Sequence, residues 1–219
     1  MKILAVEFSS SQRSVAVLET PGPGKLVEAE VVEAGPVENR PLGMIEQALR
    51  EAGLEREQVE LLVIGLGPGS YTGIRAAISL GQGWQLANGV RLLGISSAEC
   101  IAAQGYAEGI RGPIGVMIDA QRNEFYVAEY ELAGEGWREL APLKLATFAD
   151  VKSLHAAGEV LIGPEVTKWF PGTRQVFPWA VTLGRLAVAR RDFVAGDKLQ
   201  PIYLRETKFV KAAPPRRLG

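Results

Sequence analysis

The chain opens with three short apolar stretches. Lys2–Phe8 and Ser14–Leu18 are compact runs, and Leu26–Val32 alternates Leu26, Glu28 and Glu30 against Val27, Ala29 and Val31. All three predict strands, the first two joined by a Ser-rich turn and the next by Pro21-Gly22-Pro23-Gly24. The period then lengthens. Over Pro41–Ala52, Leu42, Ile45, Leu49 and Ala52 recur at helical spacing and Gly53 ends the helix. Leu61–Leu66 is unbroken and apolar, as in a buried parallel strand. A glycine-rich turn leads into a helix over about Gly73–Ala87, followed by a strand at Val90–Ile95 and a Ser-capped helix at Ser97–Gln104.

The second half repeats this plan less fully. Pro113–Asp119, Glu124–Leu132 and Trp137–Leu145 predict strands, with Ala120-Gln121-Arg122-Asn123 as the turn between the first two. Thr147–Ala157 predicts a Thr-capped helix, Glu159–Gly163 and Arg174–Phe177 short strands, and Ala180–Val194 a closing helix. Gly105, Gly109 and Gly112 mark the boundary. Two successive meander-plus-helix units predict an α/β protein of two actin-like (ASKHA, ribonuclease H-like) lobes, each a mixed sheet with helices. The first spans residues 1–105 and the second, reduced lobe 106–219, ending in a basic tail.

Composition narrows the chemistry. The 219 residues are 47% hydrophobic and 22% charged, with a net charge of −1, which disfavours disorder. No apolar run reaches the roughly 20 residues of a membrane span. Met1–Phe8 is too short for a signal peptide and is interrupted by Glu7. One cysteine, Cys100, and one histidine, His155, exclude an internal disulfide, a multi-Cys zinc site and a two-His metal site. The expectation is a cytoplasmic protein with no metal site of its own. Charge is uneven: Met1–Glu60 carries −5 and Glu135–Gly219 carries +6, so the basic tail could contact phosphates or simply be solvated.

The densest motif is Gly67-Pro68-Gly69-Ser70-Tyr71-Thr72-Gly73-Ile74-Arg75. It follows a buried strand and opens a helix, where free N–H groups can hold an anion. It matches neither the Walker loop nor the dinucleotide fingerprint. The chemistry favours a tight turn capped by Ser70 or Thr72, with a phosphate cradle as the alternative. In the helix that follows, Arg75 is the only charge from Gly73 to Ala87. A helix apolar nearly all round is buried on two sides. Either it is central to a larger core, or Ile74, Ala77, Ile78, Gly81, Trp84 and Gln85 supply a face for a partner. Gly81 and Gly83 weaken a helix, so they suggest close backbone approach.

These residues resemble a family. The stretch Gly67–Arg75 is similar to the Gly-Pro-Gly-Ser-(Phe/Tyr)-Thr-Gly-x-Arg signature of the bacterial TsaB (YeaZ) family. Ile3–Leu18, Asp119–Tyr126 and Pro201-Ile202-Tyr203-Leu204-Arg205 look like its opening hairpin, its Asp-Ala-Arg segment and its Pro-x-Tyr-Leu-Arg close. Departures are Glu7 for the usual Asp, Gln121 for Arg, and no His in Val37–Arg40. The resemblance implies the actin-like fold and a non-catalytic subunit that pairs with TsaD, with TsaE as a further partner. Their product is threonylcarbamoyladenosine at position 37 of tRNAs reading codons that begin with A. It also implies a homodimer when the chain is alone, tRNA reached only through the complex, no membrane, no intrinsic cofactor, and a nucleotide, if any, at the partner interface. An actin-like kinase or ATPase, or an M22-type peptidase, are the alternatives. Actin-like phosphotransferases need two glycine-bearing phosphate loops led by aspartates. Here Glu7–Ser11 and Asp119–Arg122 contain no glycine, so Asp119 is expected to be a turn residue. Cys100 is expected in the core, and His155 half-buried against Val151 and Phe148.

Overall fold

A computed structural model describes residues 1–20, 29–34 and 41–205. The Pro21–Gly24 turn, Leu26–Glu28, Val37–Arg40 and the basic tail beyond Arg205 lie outside the described residues.

The first sheet has the order β3-β2-β1-β4-β5. Its strands are β1 (Lys2–Glu7), β2 (Gln12–Glu19), β3 (Ala29–Ala34), β4 (Leu61–Gly65) and β5 (Arg91–Ile95). β1 to β3 form an antiparallel meander, and β4 and β5 continue it in parallel, with Ile3 opposite both Leu18 and Leu61. Strand alternation divides the side chains between two faces. Leu4, Val6, Val15, Val17, Leu62 and Ile64 meet α1 (Pro41–Glu51) and α2 (Tyr71–Asn88). Ile3, Ala5, Ala16, Leu18, Leu61 and Val63 meet α6 (Ala180–Val188).

The second sheet repeats the order as β10-β9-β6-β7-β8. It comprises β6 (Gly112–Asp119), β7 (Glu124–Ala133), β8 (Gly136–Thr147), β9 (Val160–Gly163) and β10 (Arg174–Gln175). One face packs on α3 (Ser97–Ala107) and the other on α4 (Phe148–Ala156) and α5 (Val166–Trp169). Thr147 caps α4 in a capping box with Asp150. α3 lies between the sheets, with Cys100 in the core of the first and Ala98, Ile101 and Ala102 in the core of the second.

The two-lobe plan holds, but the lobes are not consecutive halves of the chain. Residues assigned to 106–219 return to the first sheet: α6 covers one face, and Leu199 enters the core on the other. The closing helix also stops at Val188 instead of running to Val194. Val194 makes an antiparallel bridge to Leu92, which covers the exposed edge of β5. Among the described residues no helix is long and apolar enough to cross a membrane.

Candidate functional site

The site begins at the end of β1. Glu7 is 0% exposed, and it fits because β4 ends in Gly65, where any Cβ would overlap its carboxyl group. Its Oε1 accepts the Ser9 N–H at 2.7 Å, and its Oε2 accepts the Ser97 hydroxyl at 2.9 Å. Ser97 Oγ in turn accepts the Gly67 N–H at 3.1 Å, while the Ser97 N–H donates to the Gly67 carbonyl at 2.8 Å. One buried carboxyl therefore ties β1, the glycine-rich loop and the first turn of α3 together. Burial pushes its pKa up, and the hydrogen bonds from Ser9 and Ser97 oppose that shift. The Ser97 hydroxyl faces inward, and the α3 N-cap is Ser96, which makes no side-chain cap bond. The expected Ser cap of this helix is thus corrected.

The loop itself closes onto the β1–β2 turn. A Cβ at Gly69 would overlap the Ser9 carbonyl, and one at Gly73 the Phe8 carbonyl. Gly67 and Gly69 have φ of 83° and 146°, values that favour glycine. The Ser70 N–H donates to the Ser9 carbonyl at 2.6 Å, and Ser70 Oγ caps α2 by accepting the Gly73 N–H at 3.3 Å. At the start of α2 the Gly73 and Ile74 N–H groups are thus taken by the Ser70 hydroxyl and carbonyl. Of the two sequence readings, the turn capped by Ser70 is the one observed.

The last described segment crosses this loop. The Ile202 N–H donates to the Leu66 carbonyl, and Tyr203 stacks on Tyr71 at 5.5 Å between ring centres. The Arg75 guanidinium carbon lies 4.2 Å from the Tyr71 ring centre. Arg205 then reaches the second lobe, where it pairs with Glu124 and donates to the Gln121 carbonyl at 3.2 Å. Two motifs about 130 residues apart in sequence therefore meet as one column, Arg75–Tyr71–Tyr203, with Arg205 as a cross-lobe clamp.

Between the lobes lies a cleft of about 750 Å³. Ser9–Ser11, Arg13 and the column line its first-lobe side; Asp119, Tyr126, Glu165 and Lys168 line the other. Asp119 accepts the Gln121 N–H at 2.7 Å, the turn role expected for it. The turn it governs holds Gln121, Arg122 and Asn123 at φ of 64°, 61° and 60°. Burial raises the pKa of Glu165, and Lys168 opposes that shift. Among the described residues, no three of His, Cys, Asp and Glu gather closely enough to hold a metal ion.

The predicted interface residues of α2 need correction. Ile74, Ala77, Ile78 and Gly81 are buried on the chain's own sheet. Gly81 provides close approach, but to Ile64 of β4. Trp84 is partly buried against the same core. Gln85 binds the Gly196 N–H and the Val90 carbonyl. The outward face of α2 instead carries Tyr71, Thr72, Arg75, Ser79, Gly83 and Leu86, the last 90% exposed. Cys100 is fully buried, as expected, whereas His155 is exposed and lies over Phe170. The sequence reading missed the Glu7–Ser97–Gly67 network; the Glu in place of Asp was its one visible sign.

Comparison with known proteins agrees with this arrangement. The family model described as "TsaD: tRNA N6-adenosine threonylcarbamoyltransferase" matches residues 38–183. The chain is 31% identical to the tRNA threonylcarbamoyladenosine biosynthesis protein TsaB of Escherichia coli, over 98% of this chain and 99% of that protein. It is 29% identical to Haemophilus influenzae TsaB over 99% and 98%. The solved structure of YeaZ from Pseudomonas aeruginosa superposes with a TM-score of 0.76 at 25% identity, covering 93% of this chain and 99% of that one. With both motifs built into one wall of the cleft and near full-length similarity on either side of them, the chain belongs to the TsaB (YeaZ) family of tRNA threonylcarbamoyladenosine biosynthesis proteins.

Proposed function

We propose that this chain is a non-catalytic subunit that pairs with TsaD and activates threonylcarbamoyl transfer to adenosine 37 of tRNAs reading codons that begin with A. The observation that carries this reading is the closure of the glycine-rich loop on the chain's own backbone. In an actin-like phosphotransferase the acid-led turn that follows the first strand must be free to face nucleotide phosphates. Here the Phe8 and Ser9 carbonyls pack against Gly73 and Gly69, and the acid ending β1 is sealed from solvent. A carboxyl so placed cannot reach a metal or a water in the cleft.

The partner surface in this reading is the outer side of α1 and α2, which cover the same face of the first sheet. It presents Leu42 and Leu86, 53% and 90% exposed. Gly83 has open space around it, so a second helix can approach closely there. The same face would serve a second copy when the chain is alone, making homodimer and TsaD pairing compete. TsaE and any nucleotide belong to the assembled complex. ATP turnover tests the reading. The purified chain alone should show none above background, and TsaD and TsaE supplied with tRNA, ATP and an activated threonylcarbamoyl donor should produce threonylcarbamoyladenosine only when the chain is present. Robust hydrolysis by the chain alone would overturn the proposal.

A further inference from the structure

We propose that the Arg75–Tyr71–Tyr203 column is a binding site for single-stranded RNA, with an unstacked base extending the column and flanking phosphates drawn to Arg13 and Lys168. The inference rests on the proposed role in tRNA modification and goes beyond it by placing RNA directly on this chain.

Three observations support it. Tyr71 is held by Tyr203 at 5.5 Å and by Arg75 at 4.2 Å, yet remains 57% exposed. It is the first residue of α2, directly after the Ser70 cap, so its backbone is fixed before any ligand arrives. Aromatic rings and guanidinium planes are the surfaces on which unpaired RNA bases stack. Second, the charge around the cleft favours an anion. Arg13, Arg75 and Lys168 line it, and none forms an ion pair among the described residues. Of the acidic lining residues, Asp119 accepts the Gln121 N–H, and burial favours the neutral form of Glu165, with Lys168 as its nearest opposing charge. Third, about 750 Å³ is ample for a flipped-out nucleotide.

The test is fluorescence anisotropy of the full chain with a labelled anticodon stem-loop RNA from a tRNA reading an A-initial codon. Wild type should bind saturably. Tyr71→Ala should weaken binding roughly tenfold or more, and Tyr71→Phe should stay within about twofold. Arg75→Lys keeps the charge but loses the plane, so it should weaken binding several-fold without changing the salt dependence. Arg13→Ser should lower the slope of log K against log salt by about one. No saturable binding by wild type, or equal binding by Tyr71→Ala and Arg75→Lys, would overturn the inference. So would a Tyr71→Ala variant that keeps its RNA affinity and loses TsaD, since the column would then be a protein-docking surface. Failure of the underlying functional reading looks different: the chain would not support threonylcarbamoylation, whatever its RNA affinity.

Discussion

The two lobes carry the same five-strand order, and each central strand ends in an acid that accepts the N–H two residues on. Glu7 accepts from Ser9 and Asp119 from Gln121, both at 2.7 Å. Beyond that they diverge. Glu7 is sealed beneath a glycine-rich loop that opens an 18-residue helix. Asp119 lines the open cleft, and the corresponding second-lobe helix has four residues. The same topology thus yields a closed, internally bonded corner on one side and an open one on the other. The closed corner sets the start of α2, and with it the column and the outer helical face.

The largest effect should come from wedging the closed corner open. Gly69→Ala would place a Cβ on the Ser9 carbonyl at a φ unfavourable for alanine. Urea denaturation should register a loss of about 3 kcal/mol or more. In the open corner, Arg122→Gly should instead gain about 0.5–1 kcal/mol, because a left-handed non-glycine residue is relieved. Equal effects at the two corners would erase the distinction.

Titration of the sealed acid is the next test. The pKa of Glu7 is raised in the folded protein, so its contribution is fullest below its unfolded value. That contribution is lost as pH rises toward the folded value. Glu7→Gln cannot ionise, so its stability relative to wild type should improve as pH rises above the ordinary carboxylate range. The slope should approach at most about 1.4 kcal/mol per pH unit. A pH-independent difference would mean the carboxylate is not held in the buried state described. The smallest effect is at the clamp. Arg205→Ala should cost about 1 kcal/mol, and a double-mutant cycle with Glu124→Gln should show coupling below that figure, since both side chains are about one-third exposed.

Local pattern made much of this legible from sequence. The apolar runs of β1 and β2, the helical spacing of Ile45, Leu49 and Ala52, and the capping residues Ser70 and Thr147 all express short-range rules, although Leu42, read on the same helical face, is exposed. α5 escaped because a single turn, Val166–Trp169, has no period to detect. The inner and outer faces of α2 were confused because apolar residues surround it, and only the placement of Ile64 beneath Gly81 decides which side meets the sheet. The glycine-rich and Pro-x-Tyr-Leu-Arg motifs were each visible alone. Their union is a long-range contact between Tyr71 and Tyr203, and the Glu7–Ser97 bond spans 90 residues. No local periodicity encodes such pairings.

The central claim is that the closed corner serves to present a partner-binding helix, and one variant tests it most directly. Leu86 is 90% exposed, so Leu86→Glu should fold and melt as wild type does. Threonylcarbamoyladenosine formation on tRNA should be measured with TsaD, TsaE, ATP and an activated threonylcarbamoyl donor present, comparing wild type with this variant. The account predicts that wild type supports modification and that Leu86→Glu, though folded, reduces it at least about tenfold, as expected for a charge forced into a buried apolar contact. Undiminished modification by the folded variant would contradict it.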